Sequence, residues 1–191
     1  GLETDEKINL GNAIRYFGDG FQISKKINNK KFWRIPVMEG EFIIEDKTSI
    51  TSGIGGGNIL IIGTSNIEVL KAGEAAVKEM KKIGNIILPF PGGIVRSGSK
   101  VGSKYKNLIA STNDAYCPTL KGITKTNLDK DIECVLEIVV DGINEKDIAL
   151  AMKKGISIIC EKFNKGIKSI SAGNYGGKLG PFHFHLRDIM K

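Results

Sequence analysis

One carboxyl group stands out for chemistry. In the run Ile132-Glu133-Cys134-Val135-Leu136-Glu137-Ile138-Val139-Val140 apolar and polar residues alternate. As a strand, the run sends Ile132, Cys134, Leu136, Ile138 and Val140 to one face and Glu133, Val135, Glu137 and Val139 to the other. Glu137 then sits between two valines. If that second face is covered, desolvation disfavours the charged carboxylate and raises its pKa. A carboxylic acid kept neutral near pH 7 can donate a proton or a strong hydrogen bond. The plainer alternative is a half-solvated sheet with Glu137 exposed or salt-bridged.

The remaining candidates are less sharp. His183 and His185 are the two histidines. On a strand they share a face, which is compatible with a metal pair. No Cys, Asp or Glu cluster completes such a site apart from Asp188, so no metal is expected. Two glycine-rich stretches, Gly55-Gly56-Gly57-Asn58 and Ser171 to Gly180, read either as close backbone approach to a ligand or as tight turns. The stretch Pro91 to Lys104 mixes glycines and serines with Arg96, Lys100 and Lys104. It could wrap an anion through backbone amides, or be a solvated lysine loop. It lacks P-loop spacing, and the chain carries no Rossmann, nucleophile-elbow or kinase signature.

Charge narrows the partners. The 191 residues carry a formal charge of +7. Seven basic and two acidic residues lie between Pro91 and Lys130. Such a surface attracts polyanions of any size. The expected strands Asn58–Ile62 and Ile132–Val140 hold no aromatic residues, and the basic loop has only Tyr105 and Tyr116. A base-stacking platform is therefore not supported, and nucleic acid is not the expected partner. No apolar run approaches the roughly 20 residues of a membrane helix. The polar opening Gly1 to Glu6 does not read as a signal peptide. Cys117, Cys134 and Cys160 are odd in number and far apart, as expected of reduced thiols in the cytoplasm. Gly1 rather than Met begins the chain, which fits a processed chain or a piece of a longer one.

The elements that must position Glu137 follow from periodicity. Residues 1–48 read as a partial lobe with strands Phe32–Met38 and Glu41–Asp46 joined at Glu39-Gly40. Asn28-Asn29 forms a turn before them, and Pro36 marks the first of these strands as an edge or an irregular strand. Residues 49–191 read as a complete lobe. Asn58–Ile62 is a buried strand. Ser65 and Glu68 form a capping box for a helix whose inner face is Leu70, Gly73, Val77, Met80 and Ile83. Asn85–Leu88 is the next strand. After a loop from Phe90 to Asp131 comes the Glu137 strand. Asn144 then caps a helix lined by Ile148, Met152, Ile156, Ile159 and Phe163, and Ile167–Ser171 is a fourth strand. This order is a split βαβ, ferredoxin-like α+β unit with both helices on one face of an antiparallel sheet. The other face is left for a second lobe or a second subunit. A loop of this length without periodicity is usually functional or disordered.

Several blocks together resemble the formylmethanofuran:tetrahydromethanopterin formyltransferases. They are Tyr16–Gln22, Val37–Asp46, Pro89-Phe90-Pro91-Gly92-Gly93-Ile94-Val95, Ser99–Lys104, Ser111–Thr119 and Ser171–Gly180. The resemblance spans nearly the whole chain and corresponds to the C-terminal two-thirds of the family. It implies two ferredoxin-like lobes and a soluble homo-oligomer, usually a tetramer, with active sites near subunit contacts. It also implies no metal or tightly held cofactor, and methanofuran and tetrahydromethanopterin as substrates. It places the family's buried glutamate at Glu137.

The implied chemistry is acyl transfer between one-carbon carriers, serving methanogenesis or formaldehyde oxidation. The carriers bear carboxylates and a phosphate, which the basic loop would hold. Substrate-binding candidates are Arg96, Ser99, Lys100, Lys104, Asn113, Asp114, Tyr116, Asn174 and Lys178. The alternative is an inactive relative or a subunit that binds a one-carbon carrier within a formyl-handling complex.

Overall fold

The computed structural model describes residues 3–96, 98–173 and 180–191. The chain divides into two compact units, Gly1–Ser52 and Gly53–Lys191.

The first unit holds β1 (Lys7–Ile8), α1 (Leu10–Ile14), β2 (Ile23–Ile27), β3 (Lys30–Val37), β4 (Gly40–Glu45) and β5 (Thr48–Ser49). β2, β3 and β4 form an antiparallel sheet in that order, while β1 pairs with β5. Asn28 and Asn29 both take positive φ, 47° and 63°, between Ile27 and its partner Lys30. This is the two-residue hairpin geometry that matches strand twist, and asparagine tolerates it well. β3 is the central strand, so of the two readings of Pro36, edge or irregular strand, the edge does not hold. β2 ends opposite Arg34, so Pro36 lies past its reach and pairs only toward Glu41. Ile35 is the one fully buried large side chain among the unit's described residues.

The second unit begins with β6 (Ile54–Gly63) and α2 (Asn66–Met80), followed by β7 (Ile86–Ile87), β8 (Ser99–Val101) and β9 (Ala110–Thr112). It continues with β10 (Cys134–Gly142), α3 (Glu145–Lys162), β11 (Ile167–Ser171) and α4 (Leu186–Ile189). The main sheet runs β11-β6-β10-β7, entirely antiparallel, with α2 and α3 packed on one face. The expected split βαβ architecture is therefore present. Both expected caps form. Ser65 accepts from the Glu68 N–H at 3.4 Å and Asn144 from the Asp147 N–H at 2.9 Å. Each satisfies one of the donors that a helix start leaves orphaned.

The helix-facing core differs in detail from the expectation. α2 buries Val69, Ala72, Gly73, Ala76, Val77 and Met80, and Leu70 is exposed. The inner face is rotated toward small residues because α3 approaches closely. A Cβ on Gly155 of α3 would lie 2.8 Å from the Met80 sulfur, and one on Gly57 of β6 2.7 Å from the Met152 sulfur. A methyl group at either position would force the methionine to shift. The buried face of α3 contains Ile148, Met152, Ile156 and Ile159 as expected, with Ala151 and Gly155 added and Phe163 at its margin.

The second face is covered differently from the expectation. Ile132 precedes β10 and does not join the helix side. It packs with Leu60, Ile62 and Leu128, flanked by Tyr116 and Val135. The segment between β7 and β10 thus folds back over the sheet and covers part of the second face from within the same chain. It contains the β8–β9 hairpin and three 3-10 turns, Pro91–Gly93, Asp114–Tyr116 and Pro118–Leu120. Lys121 fastens it by donating to the carbonyls of Lys130 and Ile132 at 2.8 and 2.5 Å.

Ile138 has no exposed surface and sits at the centre of the helix-side cluster. Ile138→Ala should lower unfolding stability by about 2–5 kcal/mol, measured by denaturant titration. A loss of less than about 1 kcal/mol would mean the core can collapse around the cavity.

Candidate active site

Strand alternation places Asn58, Leu60 and Ile62 of β6 on the same face as Val135, Glu137 and Val139 of β10. Glu137 stands opposite Leu60, and Asn58 opposite Val139. On its other side Glu137 pairs with Val95, the two exchanging backbone hydrogen bonds of 2.8 Å each way. β7 stops at Ile87, and the chain returns at Val95 to occupy the β10 edge beside the carboxyl-bearing residue.

Glu137 is 6% exposed, the one buried charged or polar side chain among the described residues. Asn58 Nδ2 donates to Glu137 Oε1 at 2.7 Å. The Oδ1 of the same amide accepts from the Gly173 N–H at 2.9 Å, where the chain runs on from β11. Burial pushes the Glu137 carboxyl above its ordinary value of 4.5, and the Asn58 hydrogen bond opposes this only in part. A raised pKa brings the neutral, proton-donating form of a carboxyl group within easier reach.

Two cavities meet at this side chain. The larger, about 220 Å³, is floored by Gly55–Asn58, Glu137 and Val139 and walled by Phe90, Ser99, Gly173 and residues 182–185. The smaller, about 30 Å³, lies between Leu60, Val135, Arg96, Asn113, Tyr116 and Cys117. Glu137, Val95 and Gly98 border both. A bulge shapes the floor of the larger one. Between the Val140↔Gly57 and Gly142↔Ile54 pairs, β6 has one more residue than β10. Gly56 takes φ 91° there and donates its N–H to Asp141 Oδ1 at 2.7 Å. A positive φ at a bulge favours glycine over any L side chain.

The other sequence candidates scatter. Ser99 borders the larger cavity; Arg96, Asn113 and Tyr116 border the smaller. Lys100 and Asp114 form an ion pair with each other. The Lys100 hydrogen bond, followed by its charge, holds the Asp114 carboxyl below the usual range. Their charges are met within the protein. Lys104 is exposed and lines neither cavity. Asn174 and Lys178 lie outside the described residues. His183 and His185 are not on a strand, yet their rings lie nearly parallel, 16° apart in plane with centroids at 6.2 Å, on the wall of the larger cavity. Among the described residues no three His, Cys, Asp or Glu side chains gather as metal ligands. No described helix is long and apolar enough to cross a membrane.

Sequence reasoning did not single out Asn58, Val95 or the Phe90 and Phe182–Phe184 wall. The signal for Asn58 was present. It is the one polar member of the Asn58, Leu60, Ile62 face of a strand otherwise built of isoleucine and leucine. The return of Val95 to the sheet edge had no local signal, because a single-residue bridge has no periodicity.

A family profile described as "FTR, proximal lobe" matches residues 40–189. A second, "Formylmethanofuran-tetrahydromethanopterin formyltransferase", matches residues 1–37. The chain is 63% identical to the formylmethanofuran--tetrahydromethanopterin formyltransferase of Methylobacillus flagellatus, covering 96% of this chain and 61% of that protein. It is 60% identical to the enzyme of the same name from Methylococcus capsulatus, covering 100% and 64%. Two solved structures are similar. One is the formyltransferase/hydrolase complex from Methylorubrum extorquens in complex with methylofuran (TM-score 0.75, 46% identity, 100% of this chain and 64% of that one). The other is the formyltransferase from Methanosarcina barkeri (TM-score 0.74, 42% identity, 98% and 63%). The chain thus spans somewhat under two thirds of the length of these relatives. Taken with the antiparallel sheet and its two helices, these matches place the chain in the formylmethanofuran-tetrahydromethanopterin formyltransferase family.

Proposed function

We propose that this chain takes part in formyl transfer from formylmethanofuran to N5 of tetrahydromethanopterin, with Glu137 as the acid. The observation that carries the reading is a buried carboxyl, raised in pKa, at the junction of two cavities in a chain of this family. The pterin N5 lone pair attacks the formyl carbon, and the carbonyl electron pair moves to oxygen. Neutral Glu137 then gives its proton to the departing methanofuran nitrogen as the oxygen pair reforms the carbonyl and the C–N bond breaks. The N5 proton restores the acid. No net proton is gained or lost. The Val95 strap and the Phe90 and Phe182–Phe184 wall limit water around the carboxyl, which strengthens each interaction there.

Of the basic residues, Arg96 has the best position for a carboxylate or phosphate tail, because it lies beside the smaller cavity. Lys100 is occupied by Asp114. Assembly into a homo-oligomer belongs to the same reading. Its support is the apolar surface of the first unit, where Phe17 and Phe21 are 79% and 77% exposed. A second reading is a carrier-binding component of a larger assembly. It is favoured by the 48% identity of this chain to one component of the formyltransferase/hydrolase complex of Methylorubrum extorquens. The presence of the buried carboxyl favours turnover over carrier binding alone.

The direct test is formyl transfer by wild type and Glu137→Gln side by side. Loss of the acid should lower kcat by about 10²–10⁴-fold with a smaller effect on KM. An unchanged kcat would remove Glu137 from the chemistry, and an inactive folded wild type would favour the carrier-binding component. Raising salt should raise KM more than it lowers kcat, because exposed cations such as Arg96 and Lys104 are screened. A salt-independent KM would contradict a basic tail site.

The same carboxyl makes a stability prediction. Its folded-state pKa lies above the unfolded value, so the folded protein holds the proton more tightly. The resulting stability is fully present below about pH 4.5 and is lost as pH rises through the raised value. Glu137→Gln carries no such charge. It should therefore be more stable than wild type at neutral and alkaline pH, with the difference shrinking toward acid pH in thermal melts. Wild type gaining stability over the variant as pH rises would reverse the sign and refute a desolvated carboxyl.

A further inference from the structure

Asn58 is bound on both sides. A backbone N–H can only donate, so the Asn58 atom that meets Gly173 must be the amide oxygen. The amide nitrogen is then forced toward Glu137. This fixes the side-chain orientation by chemistry rather than by choice. Two consequences follow for the carboxyl group. Oε1 receives an N–H and cannot itself carry a proton pointed at that donor. Oε2 faces the other way, toward Gly98, where an added Cβ would sit 3.9 Å from it. Gly98 borders both cavities. Among the described residues the carboxyl's one hydrogen-bond donor is Asn58, at Oε1.

We propose that Asn58 is a positioning residue that reserves Oε1 of Glu137 as an acceptor, so that the acid's proton resides on Oε2, the oxygen facing the cavities. This rests on the reading of Glu137 as the acid of the site and adds which oxygen delivers the proton and what selects it. The Gly173 N–H is the outer link. It holds the amide in one orientation and ties the end of β11 to the acid.

Other ionisable groups near the carboxyl are His183 and His185 across the larger cavity, and Arg96, Tyr116 and Cys117 across the smaller. Asp141 lies further along β10 and is engaged by the Gly56 N–H. β6 contributes Asn58, Leu60 and Ile62 to this face, none of them charged. Asn58 is the group whose replacement alters the carboxyl directly without changing the surrounding charge.

The test is a carboxyl titration on substrate-free protein carrying ¹³C-labelled glutamate, with the Glu137 signal assigned by its absence in Glu137→Gln. Asn58→Leu removes the donor to Oε1, which stabilises the carboxylate more than the acid. The Glu137 midpoint should rise by about one pH unit. Asn58→Asp keeps an oxygen for the Gly173 N–H but sets a second carboxylate against Oε1. The pair should then share one proton and titrate in two separated steps, the upper one above the wild-type midpoint. The aspartate variant carries the test where the leucine variant fails to fold. A residue that merely anchored Gly173 would change thermal stability and leave the Glu137 midpoint where it was. Unmoved midpoints in the folded variants would overturn the proposal. The titration needs no substrate, so its outcome is separate from that of the turnover assay.

Discussion

The hydrogen bond from Asn58 to Glu137, on the sheet face beside the Val95 edge bridge, is the contact on which the proposed site depends. A carboxyl group removed from water is costly unless it is neutral or partnered. Here one neutral donor reaches it, and burial raises its pKa. A cationic partner would have held the proton off and left a carboxylate with nothing to donate. An amide satisfies one oxygen and leaves the pKa raised by burial. The sheet supplies the rest: Leu60 on one flank, Val95 on the other, and the helix pair on the far face to hold both strands rigid.

That arrangement explains the use of small residues far from the carboxyl. An added methyl on Gly155 would press on Met80 of α2, and one on Gly57 of β6 would press on Met152 and Ile148 of α3, so both helices pack closely against their neighbours there. Close packing fixes β6 and β10 against the helices and so fixes Asn58 and Glu137 relative to each other on the opposite face. The segment between β7 and β10 does the complementary work. Its apolar side chains Leu128 and Ile132 pack on Leu60 and Ile62, while Val95 completes the edge beside Glu137. Residues that look like loop in the sequence are therefore part of the wall around Glu137.

Much of this was legible in the sequence because it is local. Alternation along β10 put Glu137 on the face away from the helices, and the Ser65 and Asn144 caps marked both helix starts. The order of strands and helices gave the sheet topology. What was not legible depends on distant pairing. The inner face of α2 shifted from Leu70 to Val69, Ala72 and Ala76 because its neighbour is a glycine-bearing helix, which periodicity alone does not reveal. Ile132 continued the alternating pattern but lies before the strand and packs with the covering segment. Lys100 read as a free cation because Asp114, fourteen residues on, has no sequence relation that announces an ion pair.

The central claim is that Glu137 acts in its protonated form. The measurement that tests it most directly is the single-turnover rate of formyl transfer as a function of pH at saturating formylmethanofuran, for wild type and Glu137→Gln. A neutral acid requires the wild-type rate to fall as pH rises through the raised carboxyl pKa, and the falling limb to be missing from the glutamine variant. A wild-type rate that is flat or increases through that range would mean that the carboxylate, or another group, carries the reaction.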